Sequence, residues 1–200
     1  MHHDIAQLEP LQTYKMLVGG IIPRPIAWVS TLSAQGTDNI APYSFFSVAS
    51  VTPPVLTITH VMPQTQQEKD TLRNLKETGD AVVNIVSAEM ADKMNASCAA
   101  LPPETSEFTA ADIPACDSEK VRAKSVANAP VRYECKLREL LPISDQPTGG
   151  TLILLDVVNI FIDDAIVQDG MIQADQLDAI GKLGGDLYST TRDRFALARP

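Results

Sequence analysis

Three consecutive residues, Lys69, Asp70 and Thr71, place a cation, a carboxylate and a hydroxyl at the start of a predicted helix. A lysine ammonium, a threonine hydroxyl and the amides at a helix N-terminus could together bind one anion, such as a phosphate group. A simpler interpretation also fits, in which Asp70 caps the helix and Lys69 is a solvated charge. The local sequence alone favours the simpler interpretation, because capping motifs are common.

Hydroxyl groups also end the strand predicted for residues 26–32, where Ser30 and Thr31 follow a run of apolar side chains. A hydroxyl at a strand end usually satisfies a nearby backbone group. After a turn predicted over residues 34–39, the sequence continues as APYSFFS, in which Pro42 interrupts any ladder of strand hydrogen bonds. A backbone of this kind could offer amide donors and carbonyl acceptors to a flat, polar heterocycle.

No constellation for nucleophilic or paired acid–base catalysis is apparent in these segments. His60 follows an apolar predicted strand and precedes the sequence VMPQTQQE, residues 61–68. A lone histidine at a strand end is interpreted here as structural, and no second ligand lies near it at metal-binding spacing. We therefore predict no metal site and no catalytic side chain.

Composition limits the possible partners. The 200 residues carry a formal net charge of −9, which argues against nucleic acid or an anionic membrane because both need a basic face. No window approaches the length of a bilayer span, and the start MHHDIAQLEP lacks the regions of a signal peptide. A cytoplasmic location is therefore expected. Cys98, Cys116 and Cys135 are too widely spaced to indicate a zinc site or a disulfide framework.

The elements that must position these residues are mostly strands, and residues 1–200 are predicted to form one domain. Further strands are predicted over residues 55–61, 81–86, 131–141 and 151–162, and helices over residues 70–78 and 88–100, with a short turn or helix over 13–18. Residues 102–114 are expected to be irregular, and residues 163–177 to form a turn-linked pair or a loop. Gly79 should end the first of the two helices. In the strand 131–141, alternation places Arg132, Glu134, Lys136 and Arg138 on a solvated face.

Several sequence blocks in a fixed order carry a resemblance to a known family. The blocks are PRPIAWVST with GTDNIAPYSFF after it, KDTLRNLKETGDAVVNIV, SEFTAADI, NAPVRYECKL and LGGDLYSTTRDRF. Together they cover nearly the whole chain, and the chain resembles the flavin reductase-like, FMN-binding split-barrel proteins. The resemblance implies a mainly β fold with helices, a Greek-key split β-barrel. It also implies a homodimer that holds FMN or uses flavin as a substrate.

The resemblance assigns expected roles to residues at the matching positions. Lys69 and Thr71 become the phosphate site. Ser30 and Thr31 become candidates for contacts with the ribityl chain, the phosphate or the ring edge, and Asn39 would fix its loop or reach the ligand. The full set of expected cofactor-binding residues is Ser30, Thr31, Asn39, Ala41, Pro42, Tyr43, Ser44, Lys69, Thr71 and Tyr188. Ala41 to Ser44 would act largely through the main chain, and Tyr188 would close over the cofactor. Trp28, Phe45 and Phe46 are expected to pack in the core, the two phenylalanines also at a dimer interface.

Three functional interpretations remain from the sequence. The first is reduction of flavin by NADH or NADPH, and the second is an FMN-bound electron carrier or a reductase of another small acceptor. The third is a cofactor-free β-barrel binding module, against which the intact PRPIAWVST and KDT blocks argue. No G-x-G-x-x-G dinucleotide fingerprint is present, so any nicotinamide cofactor should bind transiently over the flavin.

Overall fold

The computed structural model describes residues 1–63 and 68–199. Its main element is a seven-stranded antiparallel sheet of strands β2 to β6, β9 and β10, in the spatial order β3-β2-β6-β9-β10-β5-β4. The strand bounds are β1 Arg24–Pro25, β2 Ala27–Leu32, β3 Asp38–Tyr43, β4 Phe46–Val51, β5 Pro54–Val61, β6 Asp80–Ile85, β7 Ala115–Cys116, β8 Ser125–Val126, β9 Val131–Pro142, β10 Gly150–Ile162, β11 Val167–Gln168, β12 Met171–Ile172, β13 Ile180–Lys182 and β14 Tyr188–Thr190. The mainly β prediction is confirmed.

The connection between β3 and β4 shows that the sheet is curled. These two strands form its opposite edges, yet only Ser44 and Phe45 separate them in the chain. Three peptide steps span at most about 11 Å, whereas a flat sheet of seven strands would be about 29 Å wide. The sheet must therefore wrap into a barrel whose edges meet at Ser44 and Phe45. The N–H of Thr59 in β5 donates to the carbonyl of Phe45 at 2.8 Å and holds this junction.

The α-helices precede the first strand or lie in the connections between the strands. Their bounds are α1 Pro10–Gly20, α2 Asp70–Thr78, α3 Ala91–Ala96, α4 Glu107–Ala110 and α5 Ala174–Leu177, with 3-10 turns at Ile5–Gln7, Ala88–Met90 and Asp164–Ile166. Of these helices, α2, α3 and α4 contact the sheet. Helix α2 forms because Leu72 and Leu75, three positions apart, bury against the sheet. It ends at Gly79, whose φ of +72° is the left-handed conformation that glycine adopts without strain. The predicted stop is confirmed.

Strand β2 separates two hydrophobic cores. Ala27 and Val29 face the first core, together with Leu72 and Leu75 of α2. Trp28 faces the second core with Met90 and Met94, and its indole N–H donates to the hydroxyl of Ser97 at 2.9 Å. Trp28 is fully buried, so the packing role predicted for it is confirmed. Phe46 packs against the first core, as expected.

Several predicted bounds differ from the structure. Helix α1 is longer than the 13–18 prediction because it starts with a proline at its first position and a capping box of Glu9 and Gln12. The helix predicted over 88–100 is a 3-10 turn followed by the short α3. Residues 163–177 contain the turn-linked pair β11 and β12. The segment VMPQTQQE after His60, residues 61–68, lies partly outside the described residues.

The solvated face predicted for β9 is wrong at one position. Glu134 is buried, and its carboxylate accepts hydrogen bonds from the N–H groups of Glu119 and Lys120 and from the side chain of Asn159. The loop that contains Glu119 and Lys120 therefore covers this part of the strand. No helix in the two described ranges is long and apolar enough to cross a membrane.

Candidate functional site

The start of α2 differs from the capping interpretation by one residue. Lys69, with extended backbone angles, is the N-cap, and Asp70 is the first helical residue. The carboxylate of Asp70 forms an ion pair with Arg73 instead of capping the helix, so its predicted capping role is wrong. The N–H groups of Leu72 and Arg73 donate to the carbonyl of Lys69 at 3.1 and 3.2 Å. The first N–H groups, those of Asp70 and Thr71, have no acceptor within the helix.

A buried hydrogen-bond network joins three of the expected site residues. The hydroxyls of Thr31 and Thr71 both donate to the side-chain oxygen of Asn39, at 3.2 and 3.0 Å. The amide of Asn74 donates to Thr31 at 3.0 Å, and the amide of Asn39 donates to Glu107 at 3.0 Å. We call these five residues the Asn39 network. The network fixes the N-terminal turn of α2 against β2 and β3.

Glu107 is a residue that the sequence prediction missed, because it lies in the segment expected to be irregular. It starts α4 and is only 6% exposed. Burial raises the pKa of its carboxyl, and the hydrogen bond from the N–H of Ile40 opposes that rise. This bond, 3.1 Å long, shows that the Ile40 N–H points to the open edge of β3. Pro42, two residues further at the same edge, has no N–H to satisfy. The SEFTAADI block contained the only sequence signal for Glu107.

Tyr43 and Lys69 lie beside the Asn39 network. The Lys69 ammonium is 5.9 Å from the centroid of the Tyr43 ring. The Tyr43 hydroxyl is buried close to the Thr71 side chain, which acts to lower the pKa of Tyr43. The Thr71 hydroxyl donates to Asn39, however, and no hydrogen bond of ordinary geometry satisfies the Tyr43 hydroxyl among the described residues. Burial raises the pKa of Tyr43 to about 12, so the phenol stays protonated and can donate a hydrogen bond. A buried donor without an acceptor is costly and indicates that a group absent from the structure completes it.

His60 is fully buried in β5. Burial lowers the pKa of its imidazole, and the nearby Lys69 lowers it further. The ring is therefore neutral at pH 7. Neither ring nitrogen has a hydrogen-bond partner in the described ranges 1–63 and 68–199.

Three further expected residues, from β3, the residue pair after it and β14, meet at a cleft. Pro42, Ser44 and Tyr188 line a cleft of about 150 Å³. The remaining lining residues are Ile26, Met94, Cys98 and Lys182. We call this the Tyr188 cleft. The alternation of side chains along β3 thus divides the expected residues of this strand between the Asn39 side and the Tyr188 cleft.

The structure places Ser30 and Ala41 apart from these groups. Ser30 is fully buried on the face of β2 opposite Thr31, and its hydroxyl donates to the carbonyl of Lys124. Ala41 packs its side chain against the first core, and its main chain pairs with Val29 of β2.

The residues present fit a flavin mononucleotide. Its phosphate requires cationic and N–H donors, which Lys69 and the first amides of α2 supply. Its ring system requires donors and acceptors at the ring edge, which the Tyr43 hydroxyl and the open edge of β3 supply. Thr71 is only 1% exposed and its hydroxyl donates to Asn39, so this hydroxyl is engaged within the protein.

Comparison with known proteins agrees with this geometry. The model of the flavin reductase-like domain family matches residues 19–181. The structure of nitrilotriacetate monooxygenase component B from Bacillus cereus superposes with a TM-score of 0.93 at 32% identity, covering 98% of each chain. That of 2-nitrobenzoate 2-nitroreductase from Pseudomonas fluorescens gives 0.90 at 28% identity, covering 100% of this chain and 96% of the other.

A third solved structure bears on the fold alone. It is a protein with a split barrel domain from Shewanella frigidimarina, with a TM-score of 0.85 at 22% identity over 100% of both chains. The curled seven-stranded sheet is therefore a split barrel, and the fold prediction is confirmed. The chain belongs to the flavin reductase-like domain family.

Proposed function

We propose that the protein binds FMN and uses NADH or NADPH to reduce flavin, either bound or released. The observation that carries this proposal is the cluster of Lys69, the N-terminal amides of α2 and the unsatisfied Tyr43 hydroxyl beside the open edge of β3. In this cluster, hydrogen-bond donors suited to a phosphate lie close to the Tyr43 hydroxyl, a donor suited to the edge of a ring. Two solved relatives, a monooxygenase component and a nitroreductase by their names, support an oxidoreductase function.

The preference for FMN over FAD follows from the phosphate site. The Lys69 ammonium is exposed and lies at the positive end of the α2 dipole, where a terminal, doubly ionised phosphate is most strongly stabilised. Asp70 does not oppose this binding strongly, because Arg73 neutralises its carboxylate. Lys69 and the amides of Asp70 and Thr71 would hold the phosphate.

The protein's own residues act by binding and orientation. The Tyr43 hydroxyl and the main chain of residues 41–44 would orient the ring, while Ser30, Thr31 and Asn39 support the strands beneath it. Hydride chemistry belongs to the flavin when it is bound, so no side chain has to serve as an acid or base. The neutral, buried His60 is consistent with this division. Tyr188 borders the neighbouring cleft and would limit access to the ring.

We also propose a homodimer of two-fold symmetry. Large apolar side chains are exposed on β4, with Val48 at 63% and Val51 at 81%, and on α1, with Leu17 at 56%. Exposed apolar clusters of this kind usually mark an interface. A monomeric mass at micromolar concentration, with flavin still bound, would contradict the dimer.

A visible spectrum of the purified protein tests the proposed function. We expect flavin absorption bands near one equivalent per chain, and their bleaching by NADH or NADPH without oxygen. Flavin bands that neither NADH nor NADPH bleaches would instead favour the electron carrier or the reductase of another small acceptor. Failure to bind added FMN would overturn the proposal and favour the cofactor-free binding module.

A further inference from the structure

Two cations face each other across the short sheet beside the Tyr188 cleft. Arg24 in β1 and Lys182 in β13 are direct partners in the antiparallel register. Like charges placed directly opposite each other destabilise a sheet. The arrangement therefore has a cost that the surroundings must offset.

Arg24 is only 6% exposed, and the groups around it offset its repulsion with Lys182 incompletely. Its guanidinium donates to the carbonyl groups of Val18, Ile21 and Leu183 and to the hydroxyl of Ser44, all of them neutral acceptors. Within residues 1–63 and 68–199, no carboxylate forms an ion pair with it. The C-terminal end of α1 contributes about half a negative charge at most. A net positive charge therefore remains at the cleft wall.

Lys182 brings the second charge to the cleft itself. Its ammonium lies 4.1 Å from the centroid of the Tyr188 ring and donates to the carbonyl of Gly185. It has no carboxylate partner in the described part of the chain. Ser44, which accepts from Arg24, and Lys182 both line the cleft, so one polar end of the cleft is cationic.

The remaining wall is apolar and the volume is small. Ile26, Pro42 and Met94 supply the apolar lining of a cleft of about 150 Å³. A buried cavity of about this volume accommodates a benzene-sized molecule. One aromatic ring therefore fills the cleft. The oxidised nicotinamide ring, which is a cation, is disfavoured by the charge.

The titratable groups around the cleft do not reverse its charge. Burial raises the pKa of the Cys98 thiol, so it is neutral at pH 7. Asp186 is close enough to raise the pKa of Tyr188, but it is exposed and does not line the cleft. Both Lys69 and Lys182 act to lower the pKa of Cys98, so both cations lie within electrostatic range of the cleft.

We propose that the Tyr188 cleft binds a single-ring aromatic anion, its ring against Ile26 and Met94 and its charged group toward Lys182 and Ser44. The position of this anion beside the flavin rests on the proposed function, whereas its binding to the cleft does not.

The test is titration calorimetry of the full-length protein with benzoate, and with benzamide as the neutral analogue. We expect benzoate to bind at least about tenfold more tightly than benzamide, the scale of one charge-assisted hydrogen bond. Lys182→Met should remove that difference, and Lys182→Arg should restore it. Lys120→Met, at an exposed position with the same change of charge, serves as the control and should bind benzoate normally.

Equal binding of benzoate and benzamide by the unaltered protein, or no benzoate binding, would overturn the inference. Unchanged benzoate affinity in Lys182→Met would do the same. Binding of FMN is measured separately by absorbance, so a protein that binds FMN but not benzoate refutes the cleft assignment alone. A protein that binds benzoate but not FMN keeps the cleft and refutes the proposed function.

Discussion

The side chains of Asn39 and Glu107 are joined by a hydrogen bond of 3.0 Å across 68 residues of sequence. The same carboxylate oxygen of Glu107 accepts the N–H of Ile40 at 3.1 Å. A short helix from a remote segment thus completes the hydrogen bonds of an edge strand. Because Asn39 also accepts from Thr31 and Thr71, the position of α2 depends on Glu107 through one intermediate residue.

Removal of this carboxylate should destabilise the fold. Glu107→Ala leaves two buried N–H donors unsatisfied, and we expect a loss of about 3 kcal/mol in the free energy of unfolding measured with urea. Glu107→Gln retains an acceptor oxygen and should lose less. Glu104→Ala, an exposed glutamate in the same segment, is the control. Equal stability of Glu107→Ala and the control would show that the Asn39 network does not hold β3.

Such long-range contacts set the limit of prediction from the sequence. The strands and the stop at Gly79 were predictable, because alternation and a glycine after a helix are local signals. Glu107 was not, because an acid in a segment rich in proline and charge is typical of solvated loops. The prediction that Glu134 is solvated was wrong for a related reason. Strand alternation shows which face of β9 carries Glu134, but not that a loop covers that face. Of the residues expected to bind the cofactor, Asn39 and Tyr43 lie on one face of β3 and Pro42 on the other, which alternation alone could have indicated.

Lys69 should contribute to the affinity for FMN but not for riboflavin. Lys69→Met removes the ammonium at the N-cap of α2, since the other cation of this turn, Arg73, is paired with Asp70. The double variant Lys69→Ala/Thr71→Ala should weaken FMN binding by about 2–3 kcal/mol. Riboflavin lacks the phosphate, so its affinity should hardly change with Lys69→Met. Lys120→Met, at an exposed position outside α2, is the control. Equal losses for both ligands, measured by flavin fluorescence, would place the phosphate elsewhere.

Tyr43→Phe should have opposite effects on stability and on binding. The phenol is buried without a partner in the described residues, so its removal should leave the ligand-free protein equally stable or up to about 1 kcal/mol more stable. The affinity for FMN should fall by about tenfold, the value of one lost hydrogen bond. Thermal unfolding with and without FMN measures both effects. A variant that is destabilised without ligand and binds FMN normally would show that the hydroxyl has a structural role.

Asp80 should make part of the stability depend on pH. Its carboxylate is buried and bonded to Lys136 and to the backbone and side chain of Arg122. Burial alone would raise the pKa of Asp80, but these bonds outweigh it and hold the pKa below its ordinary value of 3.8. The stabilisation is therefore present above pH 3.8 and lost as the pH falls toward the lower, folded-state value.

Asp80→Asn should flatten this dependence. We expect a lower free energy of unfolding at pH 7 and a smaller decrease between neutral and acid pH than in the unaltered protein. Asp193→Asn, at an exposed position near the C-terminus, is the control. An identical pH profile for both variants, from urea unfolding across the acid range, would show that Asp80 does not titrate differently in the folded and unfolded states.

Turnover should not require His60. The imidazole is fully buried and neutral, and the lowering of its pKa by burial and by Lys69 removes the charged form that an acid would need. We expect His60→Gln, and His60→Ala where it folds, to keep turnover with NADH or NADPH within about tenfold. The main change should be in the affinity for the donor, because the positioning effect of one group is modest. Tyr188→Phe should behave similarly. Steady-state rates in parallel with FMN content check this. A loss beyond about a thousandfold with FMN still bound would match acid–base catalysis rather than positioning. In that case His60 would have to reach the reacting atoms, which needs an opening of the buried end of β5 that hydrogen exchange could detect.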